Sequence, residues 1–135
     1  MLSTCFNSIL LVDDDHVNNF VTEQLIRKSG IAKDIKAVRN GEEALTYLSE
    51  EINYCPDLIL LDINMPEMDG INFLKNFKKM VLDKSIKIIL LTSSVNPKDK
   101  EKLNSLGYQD IMMKPFSAEK LYSLFNKNLI DHTAL

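Results

Sequence analysis

The chain is predicted to fold as an α/β sandwich, a doubly wound parallel sheet with helices on both faces. Three observations carry this prediction. Short, continuous apolar runs recur along the chain, and amphipathic patterns separate them, so the order strand then helix repeats five times. The chain has 135 residues, 45% of them hydrophobic, which is the size of one domain and enough to bury a core without covalent staples.

The first run, Ile9 to Val12, is apolar at every position. Such runs fit strands covered on both faces rather than alternating, half-exposed ones. Val17, Phe20, Val21 and Leu25 then follow the spacing i, i+3, i+4, i+8, an apolar stripe of the kind a helix turns toward a core. Asp15 stands where an N-cap belongs, and Gly30 closes the helix as a C-cap signal. Asp34 to Val38 alternates and reads as an edge strand. Ala44, Leu45, Leu48 and Ile52 form the second helical stripe, and Leu58 to Leu61 the next buried strand. Ile71, Leu74, Phe77 and Val81 give a third helix, followed by a strand at Ile88 to Leu91. From Pro97 only Leu103 and Leu106 precede Gly107, so this helix has the fewest apolar anchors. Ile111 to Met113 is the last strand. Leu121, Leu124, Phe125 and Leu129 mark the last helix, with Ser117 as N-cap and Lys120, not Glu, at the third helical position.

Composition removes several function classes. Sixteen Lys+Arg against nineteen Asp+Glu leave a net charge of −3, which gives no support for a nucleic-acid-binding face. No apolar run approaches the ~20 residues of a membrane helix. The first basic residue is Arg27, so no charged leader precedes an apolar stretch. Cys5 and Cys55 lack a CxxC spacing and read as reduced small hydrophobes. The expected compartment is the cytoplasm, and residues 1–135 are expected to form one domain with no room for an output domain.

In open parallel sheets, ligands bind at the carboxyl ends of the strands. The first strand here ends in Asp13-Asp14-Asp15, the third in Asp62, the fourth in Thr92-Ser93-Ser94 and the fifth in Lys114-Pro115. Clustered carboxylates repel unless a cation sits among them. Oxygen ligands without His or Cys fit a hard cation, Mg²⁺ or Mn²⁺, whose shell a phosphate completes. A lysine and a hydroxyl nearby suit the remaining phosphoryl oxygens. The set points to phosphoryl transfer onto a carboxylate. Asp15 is assigned to capping. His16 and the run Lys98, Lys100, Lys102 read as solvated, His132 as inert, and Met65 and Met68 as loop residues beside Asp62.

Asp62-Ile-Asn-Met-Pro-Glu-Met-Asp-Gly70 resembles the phosphoacceptor signature of response-regulator receiver domains. Val12-Asp13-Asp14 is similar to their acidic pair, Leu91-Thr92-Ser93 to their hydroxyl position, and Met113-Lys114-Pro115-Phe116 to their lysine and following proline. Asn40-Gly41-Glu42-Glu43-Ala44-Leu45 fits the start of their second helix. The resemblance runs from about Ser8 to Leu129. It implies a flavodoxin-like (βα)5 fold with strand order 2-1-3-4-5. It implies Asp62 as the phosphoacceptor for a sensor histidine kinase or histidine phosphotransfer protein. Asp14 and Asp62 would hold Mg²⁺ directly, the Asn64 backbone carbonyl would be the third ligand, and Asp13 would act through a metal-bound water. Lys114 would pair with Asp62, while the Thr92 hydroxyl and the Ser93 backbone N–H would bind phosphoryl oxygens. The Lys114–Pro115 peptide is expected to be cis. Ile111 stands where many receivers carry a switching aromatic, so Thr92 and Ile111 are the candidate switch positions, with the helix from Pro97 to Leu106 as the element that shifts. The implied role is signalling rather than enzymatic. The partners would be the kinase and a target protein, with no nucleic acid or membrane, and the chain would be a monomer or a weak phosphorylation-dependent dimer.

Two rival readings remain. Asp13-x-Asp15-x-Val17 also resembles the first motif of haloacid-dehalogenase-like phosphatases, which use Mg²⁺ and an aspartyl phosphate. That reading leaves the Asp62 signature idle, and the chain has no cap domain and no late acidic pair. The other rival is a receiver-like interaction module that is not phosphorylated.

Overall fold

The computed structural model describes residues 6–50, 56–63, 70–79, 86–92, 97–108, 110–117, 119–121 and 123. Five strands, β1 (Phe6–Val12), β2 (Ala32–Val38), β3 (Leu58–Asp62), β4 (Lys87–Thr92) and β5 (Ile111–Met113), alternate with α1 (His16–Ser29), α2 (Gly41–Glu50), α3 (Gly70–Phe77) and α4 (Pro97–Ser105). Residues 119–121 and 123 are helical as well. All strand pairs are parallel, and their order is β2-β1-β3-β4-β5. This is the doubly wound arrangement expected, with the alternating segment β2 at one edge. Cys5, Ile52, Cys55, Val81, Leu124, Phe125, Leu129 and His132 lie outside the described residues.

The continuous apolar runs are buried on both faces because each strand feeds two cores. Leu10, Val12, Ile59, Leu61, Ile88 and Leu90 point to one side, where Ala44 and Leu48 of α2, Phe73 and Leu74 of α3 and Leu103 of α4 meet them. Ile9, Leu11, Leu58, Leu60, Ile89 and Leu91 point to the other, against Ile26 of α1, Phe116 and Leu121. Each fully buried Leu, Ile or Phe stabilises by roughly 1.5–3 kcal/mol. Among the described residues of α4, Leu103 alone is fully buried, as its sparse apolar pattern predicts. No helix among the described residues is long and apolar enough to cross a membrane.

Helix α1 departs from expectation. Its apolar stripe does not face the core: Val17 is 68% exposed and Phe20 62%, and Val21 and Leu25 are also exposed. The buried residues are Thr22 and Ile26. At about 100° per residue, Val17 and Phe20 lie about 140° and 160° around the helix from Thr22. The stripe therefore belongs to a second face, and the helix is anchored by one aliphatic residue and one hydroxyl. The caps are as read. Asp15 accepts from the backbone N–H groups of Val17 and Asn18, and Gly30 closes the helix at φ 72°. Asn40 caps α2, accepting from Glu43 N–H at 2.7 Å.

Candidate functional site

The carboxyl ends of β1, β3, β4 and β5 meet at one rim. Asp13 follows β1 directly and is held there by three contacts. Its N–H donates to Val38 O at 3.2 Å, its Oδ1 accepts from Asp15 N–H at 3.0 Å, and its carbonyl accepts from the Asn19 side-chain amide at 2.9 Å. The same amide reaches Val38 O at 3.4 Å, so Asn19 of α1 ties the ends of β1 and β2 together. Sequence reading missed Asn19, and a lone amide in a helix's second turn carries no motif that could have flagged it.

Asp62 ends β3 and Thr92 ends β4; both are buried, at 3% and 0% exposure. The Lys114 N–H donates to Thr92 O at 2.8 Å, which fixes the start of the segment after β5 against β4. From there the Lys114 ammonium reaches back between the carboxylates, 3.2 Å from Asp13 Oδ2 and 3.3 Å from Asp62 Oδ2. Sequence reasoning paired Lys114 with Asp62 and missed its contact with Asp13. The Lys114–Pro115 peptide is cis. Carboxylate oxygens of Asp13, Asp14 and Asp62 all lie within 4.8 Å of one another, with Asp14 exposed and the other two buried. A cavity of about 360 Å³ opens beside Asp13 and Lys114, walled by Asn18, Val21, Leu25, Pro115 and Phe116.

The electrostatics show two opposing forces. Burial pushes the Asp13 carboxyl above its ordinary range, and the Asp62 charge adds to this, while the Asp15 N–H and Lys114 pull it down without cancelling the rise. Burial alone would lower the Lys114 ammonium. The two carboxylates beside it reverse that and raise it. Three carboxylates with one ammonium leave a net negative, oxygen-only donor set. That set fits a hard divalent cation, with Asp14 open to solvent as an entry side.

The remaining expected residues fall as follows. Asn64 and Ser93, with Met65, Met68 and Ser94, lie outside the described residues. His16 is exposed at the start of α1, and Lys98, Lys100 and Lys102 are exposed on α4. Ile111 is half-buried and packs against the same core cluster as Leu103, Leu106 and Tyr108. Tyr108 lies with Lys78 Nζ 5.6 Å from its ring centroid, at the far end of α4 from Thr92.

Gly70 explains the glycine that closes the Asp62 signature. A Cβ at this position would lie 2.5 Å from the Ile63 Cα, so α3 begins in backbone contact with the residue after Asp62. Gly70→Ala is expected to cost about 1–3 kcal/mol, because the neighbour is backbone and cannot rotate away. A lowered urea midpoint with unchanged m-value would show it; an unchanged midpoint would mean the close approach is dispensable.

The family model for the response regulator receiver domain matches residues 9–126. Two-component response regulator 24 of Arabidopsis thaliana is 36% identical over 118 residues, covering 87% of this chain and 81% of that protein. The chemotaxis protein CheY of Bacillus subtilis is 31% identical over 121 residues, covering 90% and 96%. Other relatives are much longer: the chain spans 47% of a probable C4-dicarboxylate response regulator of Halalkalibacterium halodurans and 27% of a probable cyclic di-GMP phosphodiesterase of Vibrio cholerae. Among solved structures, a two-component response regulator from Cytophaga hutchinsonii superposes with a TM-score of 0.78 at 34% identity, covering 92% of this chain and 97% of that one.

Proposed function

The chain belongs to the response regulator receiver domain family, a signalling family, and on that premise we propose that Asp62 is its phosphoacceptor. The phosphodonor would be the phosphohistidine of a sensor histidine kinase or of a histidine phosphotransfer protein. The observation that carries the reading is the Lys114 ammonium held between two buried carboxylates at the carboxyl rim of the sheet.

The chemistry is an in-line displacement. An Asp62 carboxylate oxygen forms a bond to phosphorus as the P–N bond to the donor's imidazole breaks, and the imidazole leaves with the electron pair and takes up a proton. Asp13, Asp14 and Asp62, with the Asn64 carbonyl, are the groups that would hold Mg²⁺ or Mn²⁺; when bound, the ion neutralises charge on the transferring oxygens. Lys114 faces Asp62 directly, and we assign it and the Thr92 hydroxyl, at the end of the neighbouring strand, to stabilising the same oxygens. The Ser93 N–H is assigned the remaining oxygen from its place after Thr92. Asp13, beside Lys114, would set the local charge and, with the ion bound, would act through one of its waters. The domain itself would act on no other substrate. Its output would be a contact with a target protein, made by a face that responds to Thr92 and Ile111. It would work as a monomer or as a weak dimer formed on phosphorylation, free of nucleic acid and membrane.

Incubation with Mg²⁺ and phosphoramidate, followed by mapping of the label, tests this reading. Label on Asp62, lost with a chelator, is the expected result. Label on Asp13 would replace it with the phosphatase reading, and no label under any donor would favour a non-phosphorylated interaction module.

A further inference from the structure

We propose that Lys120 is a positioning residue for Lys114, a proposal that rests on the reading of the site just given. Lys120 is in the wrong place for a cation. Its N–H donates to the Ser117 hydroxyl at 3.3 Å, which makes it the third residue of a helix capped by Ser117. The first turn of a helix carries the positive end of the backbone dipole, and this position favours Glu, whose side chain would return to the cap. A lysine here gives up that stabilisation and places like charge on like.

The structure shows what the ammonium does instead. Lys120 Nζ lies 3.3 Å from Met113 O and 3.3 Å from Pro115 O. These are the carbonyls immediately before and after Lys114. Among the described residues, strand β5 is the sheet's edge, and its outer side has no neighbouring strand there to bond these groups. Lys114 is therefore fixed from both sides. Its N–H is bound inward to Thr92 O at 2.8 Å, and the carbonyls on either flank are gathered outward by one cation. The Lys114 ammonium acts at the end of a flexible four-carbon stem, so the aim of the stem depends on the backbone that carries it. A displacement of about 1 Å at a reacting group is enough to slow a transfer severely.

Two variants separate positioning from folding. Lys120→Met keeps the stem and removes the donors. Lys120→Arg restores donors at similar reach. With phosphoramidate at saturating Mg²⁺, Lys120→Met is expected to label Asp62 about three- to tenfold more slowly, with an unchanged melting temperature. Lys120→Arg should recover most of the wild-type rate. The backbone amide resonances of Lys114 and Thr92 should shift in Lys120→Met and return in Lys120→Arg. Wild-type labelling in Lys120→Met, or equal slowing in both variants together with a lowered melting temperature, would overturn the proposal. If the wild-type protein took no label at all, the phosphoacceptor reading would fall. The amide resonances would still report whether Lys120 holds the Lys114 backbone.

Discussion

An Asp62→Asn protein is expected to fold normally and to take no measurable label from phosphoramidate and Mg²⁺, a loss of at least ~10³-fold. The two halves of that result have separate causes. The amide is a far poorer nucleophile toward phosphorus than the carboxylate, so the bond that would form in the transfer cannot. The fold survives because Asp62 is one of two carboxylates facing Lys114. With Asp62 neutral, the ammonium keeps Asp13 Oδ2 at 3.2 Å, and the amide oxygen still accepts from the same donor. The new amide N–H group needs acceptors, and the carboxylate oxygens of Asp13 and Asp14 lie within 4.8 Å of the position it takes, which keeps the substitution cheap. The check is intact-mass measurement of both proteins after equal exposure, with thermal melts of each. Undiminished labelling of Asp62→Asn would place the acceptor elsewhere in the rim, with Asp13 the first position to examine.

The success of that variant as a clean test depends on features of the site that are unevenly visible in the residue order. The strands were plain because a run such as Ile9-Leu10-Leu11-Val12, apolar at every position, has few homes other than a sheet covered twice. Their ends bring Asp13, Asp62, Thr92 and Lys114 to one rim on the residue order alone. Helix α1 misled because its periodicity was real and its direction was not. Period shows that an apolar stripe exists, but which face meets the sheet is set by where the chain enters and leaves the helix. Here that choice buries Thr22 and Ile26 and exposes Phe20. Phe73, wholly buried and 5.7 Å from Phe77 between ring centroids, sat one position off the stripe read for α3. The Asp13–Lys114 contact joins residues 101 positions apart, and the Asn19 and Lys120 contacts join side chains to carbonyls, which every residue possesses. Contacts to backbone leave no compositional trace, and so the support of the site was less legible than its chemistry.

The second large effect concerns Asp13. Its carboxyl is raised by burial and by the charge of Asp62. A raised carboxyl means that the folded chain binds a proton more tightly than the unfolded one. Its contribution to stability is therefore full below the ordinary value near 3.9 and is lost as pH rises through the raised folded value. At neutral pH without a divalent ion, the ionised Asp13 thus costs stability. Lys114 offsets part of this. Its own raised value means its pairing is intact below about 10.4 and is lost only as pH climbs past the folded value. Asp13→Asn removes the charge and keeps an amide oxygen to accept from the Asp15 N–H, which Asp13 Oδ1 accepts at 3.0 Å. In chelator at neutral pH the variant is expected to be more stable than wild type by about 1–2 kcal/mol, the usual cost of a buried, partly compensated charge. Mg²⁺ should close that gap or invert it. An ion bound only by the folded protein adds about 2.7 kcal/mol at a hundred times its dissociation constant. Losing a carboxylate that orients the ion's shell lowers affinity roughly 10- to 100-fold, which removes about 1.3 to 2.3 kcal/mol of that gain. Paired melts with chelator and with Mg²⁺ read both terms from one sample. A wild type that melts above Asp13→Asn even in chelator would show that the Asp13–Lys114 pair outweighs the carboxylate repulsion. Equal Mg²⁺ gains in the two proteins would remove Asp13 from the ion's surroundings.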